Sequence, residues 1–260
     1  VDVITSKDNT KLKYISSLHD RRKARREGVV FIEGVRLCED ALGSGVTAVY
    51  AISDEKNSGW VLSVKEKNPG CETLVLSDSC FRKISSTVNP QGVALVVKTP
   101  QAPVSIPSRD DKKDIYLCLE DIQDPGNLGT MIRLADAFDF SGILVTQGTA
   151  DAYNEKVIRA SMGSVWRVPI MSFKDSSEII GKLHEMGVKV ISAELHGSEL
   201  KGAELELPAA YFIGNEGAGL KIETIEATDI RVKIDMQGGA ESLNAASAAA
   251  IIGYILQEQR

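Results

Sequence analysis

After residue 114 the chain alternates short, unbroken apolar runs with longer amphipathic stretches. The runs are Ile115-Tyr-Leu-Cys-Leu119, Gly142-Ile-Leu-Val-Thr146, Val188-Lys-Val-Ile-Ser-Ala193, Ala210-Tyr-Phe-Ile213 and Ile230-Arg-Val-Lys-Ile234. Apolar runs of this length suit strands covered on both faces, and a helix between successive strands requires a parallel crossover. The expected fold is α/β with a mostly parallel sheet, closed by a helix from about Ser242 to Gln257. Ligands of such sheets bind beyond the carboxyl ends of the strands. The loops that follow Ile213 and Ile234 belong to that edge.

The first hundred residues alternate in the same way. A basic helical stretch covers about 9–26, and further helices are expected near 35–43, 58–67 and 78–86. Strands are expected at 29–32, 46–52, 73–76 and 92–97, so this half reads as a small α/β sandwich. Between the halves, Thr99 to Asp114 holds three prolines, several charges and no periodicity, as a linker does. The expected organisation is therefore 1–98, a linker over 99–114, and 115–260.

Charge separates the halves. The whole chain carries a net −6. Residues 1–111 hold 16 Lys and Arg against 14 Asp and Glu, whereas residues 112–260 hold 14 against 22. Lys7, Lys11, Lys13, Arg21, Arg22, Lys23, Arg25 and Arg26 face only Asp8 and Asp20. Such a basic arm on an acidic protein suits phosphate, and it equally suits a solvated helix face. Cys38, Cys71, Cys80 and Cys118 form no CxxC pair and only three histidines occur, which argues against a zinc site. With no signal pattern in Val1-Asp-Val-Ile-Thr-Ser6, the cysteines favour a reduced, cytoplasmic setting. No apolar run reaches membrane-spanning length.

Three strings can carry chemistry. Asp124-Pro-Gly-Asn-Leu-Gly-Thr-Met-Ile-Arg133 follows a strand and opens a helix. Asn127 reads as its N-cap, and Arg133 lies where its side chain can lean back toward the helix start. Gly214-Asn-Glu-Gly-Ala-Gly219 fits neither a dinucleotide fingerprint nor a Walker loop. Standing alone, Glu216 would be a solvated turn acid. Glu241-Ser-Leu-Asn244 opens an Ala-rich helix, with Ser242 as the N-cap candidate.

In this order the strings Asn127-Leu-Gly-x-x-x-Arg133, Ile213-Gly-Asn-Glu-Gly-x-Gly-Leu220 and Ser242-Leu-Asn244 resemble the SpoU/TrmH family of the SPOUT class. These are S-adenosylmethionine-dependent RNA ribose 2′-O-methyltransferases. The resemblance spans most of 115–260. Through Phe31-Ile-Glu-Gly34 and Asn89-Pro-Gln-Gly92, the first half is similar to the family's L30e-like substrate-binding domain, an α/β/α sandwich.

The resemblance implies a deep C-terminal trefoil knot, an exception to the usual avoidance of knots. It implies cofactor contacts from Ile213, Gly214, Ile234, Met236 and Leu243, and a reaction site lined by Asn127, Arg133, Glu216, Ser242 and Asn244. It implies a homodimer, with ribosomal RNA, 23S above all, as the substrate. Lys11, Arg21, Arg22, Lys23, Arg25 and Arg26 would dock the RNA. The alternatives are a transfer-RNA 2′-O-methyltransferase, a base-methylating SPOUT enzyme and a catalytically inactive RNA-binding relative.

Overall fold

The computed structural model describes residues 2–200, 202–203 and 205–260. The chain divides into two compact units, Val1–Gln101 and Ala102–Arg260. Among the described residues, no helix is long and apolar enough to cross a membrane.

The first unit runs β1 (Val3–Ile4), α1 (Thr10–Ser17), α2 (Arg21–Glu27), β2 (Val29–Glu33), α3 (Val35–Gly43), β3 (Ala48–Asp54), α4 (Ser58–Lys67), β4 (Glu72–Leu76), α5 (Asp78–Ile84) and β5 (Val93–Lys98). Its sheet has the order β1-β4-β3-β5-β2. β4 is parallel to β1 and β3, whereas β5 is antiparallel to β2 and β3. Alternation along each strand sends Val29, Phe31, Ile52, Leu74, Leu76, Ala94 and Val96 to one face, under Leu12 and Ile15 of α1 and Phe81 and Ile84 of α5. α3 and α4 pack on the sheet as well, through buried Cys38, Ala41, Val61 and Val64. The single basic helix expected over 9–26 is two helices. Asp20 accepts hydrogen bonds from the N–H groups of Arg22 and Lys23, and so starts α2 afresh.

The second unit runs β6 (Ile115–Leu119), α6 (Pro125–Ala137), β7 (Gly142–Thr146), α7 (Glu155–Ser161), β8 (Ile170–Phe173), α8 (Ser176–Glu185), β9 (Lys189–Glu199), β10 (Ala209–Ile213), α9 (Ile222–Ala227), β11 (Ile230–Lys233) and α10 (Ala245–Gln257). The sheet order is β11-β9-β10-β6-β7-β8, and every pairing is parallel. One face, with Tyr116, Cys118, Leu144, Val190, Ala210 and Phe212, packs against Ile179, Ile180 and Leu183 of α8. The other lies under α6 and α10, where the Tyr211 hydroxyl donates to the Ala249 carbonyl (3.0 Å). β9 leaves the register of β11 between Ser192 and Ser198, so residues 193–197 bulge out.

The stretch expected to be a linker is partly built into this unit. Ile106 packs into the core beside Tyr116. Asp114 is 2% exposed and accepts from Ser108 Oγ (2.6 Å), Ser141 Oγ and the Arg109 N–H. Burial pushes its pKa up, but these donors outweigh burial and hold it below the usual aspartate range.

Gly129 packs rather than binds. A Cβ there would lie 2.5 Å from Ala160 Cβ and 2.8 Å from the Val157 carbonyl oxygen, so glycine is what lets α6 press against α7.

Candidate active site

The carboxyl ends of β6, β10 and β11 gather the three strings at one edge of the parallel sheet. α6 opens with Asp124, whose side chain accepts from the Asn127 N–H (2.7 Å), and Pro125 takes the first helical position. Asn127 is therefore not the N-cap expected from sequence. It stands one turn inside, which frees its side-chain amide. Likewise α10 is capped by Asn244, which accepts from the N–H groups of Ala246 (2.9 Å) and Ser247 (3.3 Å). Ser242 lies three residues before the helix, exposed, and is not the cap.

A chain of side-chain hydrogen bonds joins these helix starts to the turn after β10. Asn244 Nδ2 donates to Asn127 Oδ1 (2.9 Å), and Asn127 Nδ2 donates to Glu216 Oε1 (3.1 Å). The Glu216 carboxylate also accepts from the N–H groups of Asp124 (3.1 Å) and Gln123 (3.3 Å), at the positive end of α6. Burial works to raise the pKa of Glu216. The Asn127 amide and these N–H groups outweigh it and hold the carboxyl below its ordinary value. An acid held ionised in this way accepts protons poorly, and it suits the role of orienting Asn127.

The shape of the turn depends on Gly214. A Cβ at that position would lie 2.5 Å from the Gly219 carbonyl oxygen and closer still to the Gly219 carbonyl carbon and the Leu220 nitrogen. Within the turn, Asn215 Oδ1 accepts from the N–H groups of Gly217 and Ala218, both at 3.0 Å.

The loop from Ile234 to Leu243 leads from β11 to Asn244, the residue bonded to Asn127. Among the described residues, no backbone N–H of 234–243 donates a hydrogen bond within the chain. Ile234 and Met236 are half-buried, and Leu243 is 39% exposed. Unused backbone donors next to apolar side chains fit a nucleoside with an aliphatic tail, as S-adenosylmethionine is.

Other expected residues are not drawn into this network. Arg133 is exposed on the third turn of α6, one turn further from the helix start than an Asn127 cap would place it, with no hydrogen bond or ion pair among the described residues. In the first unit, Arg22, Arg25 and Arg26 are exposed and likewise without an acidic partner among the described residues. Lys23 sits over the Tyr14 ring (5.3 Å to its centre) and donates to Ser17 Oγ (2.6 Å). Lys11 is ion-paired with Glu72. Arg21 is exposed at the start of α2. Sequence reading noted Asp121 beside the Asn127–Arg133 string but missed Glu120 and Lys221, which the structure brings to the same turn.

Comparison with known proteins agrees with the geometry. The model of the SpoU rRNA Methylase family matches residues 114–254, and that of the MRM3-like substrate binding domain matches residues 9–95. The chain is 33% identical over 256 residues, 98% of each protein, to the 23S rRNA (guanosine(2553)-2′-O)-methyltransferase RlmP of Bacillus subtilis. The AdoMet-bound rRNA methyltransferase of Sinorhizobium meliloti superposes with a TM-score of 0.87 at 28% identity, covering 99% of this chain and 98% of that one. The SpoU methyltransferase AviRb of Streptomyces viridochromogenes, in complex with AdoMet, gives 0.85 at 27% identity, covering 97% and 98%. With a family match over more than half its length and likeness along nearly all of it, the chain belongs to the SpoU rRNA methylase family.

Proposed function

We propose that this protein transfers a methyl group from S-adenosylmethionine to a ribose 2′-hydroxyl of 23S ribosomal RNA. The observation that carries this reading is the Asn244–Asn127–Glu216 hydrogen-bond chain. It gathers two helix starts and the Gly-rich turn into one site, where the loop from Ile234 to Leu243 ends. Full-length likeness to a 23S rRNA 2′-O-methyltransferase supports ribosomal over transfer RNA.

When bound, S-adenosylmethionine supplies the methyl group as a sulfonium. The protein's own contribution is alignment, which is worth about 7–11 kcal/mol when the geometry is good. Ile213, Gly214 and the backbone of 234–243 hold the cofactor, with Ile234, Met236 and Leu243 against its apolar parts. Arg133 remains protonated, as guanidinium does in proteins. It therefore holds a neighbouring RNA phosphate and stabilises charge developing on the 2′-oxygen. Ser242, exposed beside Asn244, passes the hydroxyl proton to water.

The protein works as a homodimer through α10, whose Ile251 and Tyr254 are 38% and 51% exposed on one side of the helix. The C-terminal segment forms the trefoil knot. β11 lies at the edge of the sheet while α10 packs on β6 and β10 in its middle, which supports a return of residues 234–244 past the 214–221 turn. Four free, buried cysteines suit a cytoplasmic setting.

In the first unit, α2 supplies RNA affinity. Phosphate contacts position a substrate without specifying its sequence. Changing Arg22, Arg25 and Arg26 together to Gln is expected to raise KM for RNA about tenfold and lower the slope of log affinity against log salt by about 2. Filter binding across a salt series checks this, and an unchanged slope would assign the cluster to a solvated face.

The reading itself is tested by incubating the protein with methyl-labelled cofactor and 23S rRNA, then digesting the RNA to nucleosides. Label is expected in a 2′-O-methylnucleoside. Label in a base would favour a base methyltransferase, and cofactor binding without transfer to any RNA would favour an RNA-binding relative.

A further inference from the structure

The turn that carries Glu216 is held at both ends by two acidic residues on one strand end. Glu120, directly after β6, is 1% exposed. Its carboxylate accepts from Ser176 Oγ at the start of α8 (2.6 Å), Thr224 Oγ1 of α9 (2.7 Å) and the Lys221 N–H that closes the turn (2.8 Å). Asp121 has φ = 55°, in the left-handed region. Its carbonyl accepts from Asn215 Nδ2 at the start of the turn (2.9 Å), and its carboxylate meets Lys221 Nζ at the end (2.7 Å). Thr146 braces it, accepting from the Asp121 N–H (2.9 Å) and donating to Asp121 Oδ1 (2.7 Å).

Stability alone does not call for a buried acid at position 120. An apolar residue of similar volume is often as good or better where a buried charge would otherwise need several partners. What the acid provides is a fixed acceptor that ties the start of α8, through Ser176, to the start of α9, through Lys221 and Thr224, at the end of β6. Misplacing catalytic groups by about 1 Å can cost about 100-fold in rate, so such a support has value beyond the fold.

We propose that Glu120 and Asp121 are positioning residues for methyl transfer. They peg the two ends of the 214–221 turn so that Glu216 meets Asn127 before cofactor or RNA arrives. The inference rests on the catalytic reading of the Asn244–Asn127–Glu216 chain.

Two substitutions at Glu120 separate geometry from charge and from bulk stability. In Glu120→Gln the amide nitrogen can face Ser176 and Thr224, with two hydrogens for two hydroxyl acceptors, while the amide oxygen accepts from the Lys221 N–H. This variant is expected to keep kcat within about threefold of wild type, because the hydrogen-bonding pattern survives. Glu120→Ala leaves the Lys221 N–H and both hydroxyls unpaired, and is expected to lower kcat by about 30-fold or more, with KM for RNA within about twofold of wild type. Full kcat in a folded Glu120→Ala protein would overturn the proposal. So would an equal loss in Glu120→Gln, since the charge and not the peg would then matter.

Should Glu120→Ala not fold, Asn215→Asp in the half-exposed turn reads the other peg, because it keeps the acceptor for the Gly217 and Ala218 N–H groups and loses the donor to the Asp121 carbonyl. An expected loss of about tenfold in kcat, with thermal midpoint and RNA KM unchanged, supports the proposal, and full kcat overturns it. A wild-type protein that transfers no methyl group would sink the functional reading. An active wild type alongside a fully active Glu120→Ala would sink the peg alone.

Discussion

Gly214→Ala is expected to remove cofactor binding and methyl transfer together while leaving a folded protein. The new methyl group would overlap the backbone of Gly219 and Leu220, and backbone cannot rotate away as a side chain can. Overpacking of this kind typically costs about 1–3 kcal/mol, and here the strain is relieved by opening the turn. Opening the turn pulls Glu216 from Asn127 and widens the edge where the cofactor sits. The expected loss in transfer is about 100-fold or more, the scale of a misplaced catalytic group. Calorimetry with S-adenosylmethionine alone should show binding weakened to match. Unchanged cofactor affinity would mean the turn does not border the cofactor.

Asn127→Asp is the second large effect, and its size depends on pH. Asn127 donates to Glu216 and accepts from Asn244, so its amide serves both directions. An aspartate keeps the acceptor and replaces the donor with a charge beside the Glu216 carboxylate. Two carboxylates sharing a site raise one of their pKa values strongly. In the native protein Glu216 is held below its ordinary value, so its contribution is present above that value and lost as pH falls through the lowered one. In the variant the order reverses. Both acids are ionised and repel at high pH, and protonating one at lower pH restores a donor. The deficit in kcat is therefore expected to be about 100-fold, or ~2.7 kcal/mol, at alkaline pH and smaller near pH 6. A deficit that is constant across that range would show that Asn127 acts independently of Glu216.

The sheet was the most legible part of the fold. Ile115–Leu119 and Gly142–Thr146 are strands over the expected residues, because a five-residue apolar run bounded by polar turns leaves little choice. β8, Ile170–Phe173, was not read, since Ile-Met-Ser-Phe at an edge has neither length nor alternation to mark it. The segment 99–114 looked like a linker because prolines hide the packing of Ile106 and the hydrogen bonds of Asp114.

Within the site, the motifs located Asn127, Glu216 and Asn244, but not their roles. Helix caps were the reason. Asp124 outcompetes Asn127 because Pro125 already fits the first helical position, and Asn244 outcompetes Ser242 by sitting directly before the Ala-rich run. Each shift by a few residues changed a capping group into a free amide, or a free hydroxyl into a bystander of the cap. Glu120 was out of reach from sequence. An acid at the end of an apolar run reads as the point where a strand meets water, and only the arrival of Ser176, Lys221 and Thr224 from distant segments makes it interior.

This edge of the sheet is expected to methylate a ribose hydroxyl of 23S rRNA. Mapping 2′-O-methylation along 23S rRNA, from cells with the protein and from cells lacking it, decides this. One ribose methylation is expected to disappear with the protein, to return with the wild-type chain and not to return with Gly214→Ala. Identical 23S rRNA maps from the two kinds of cell would contradict it.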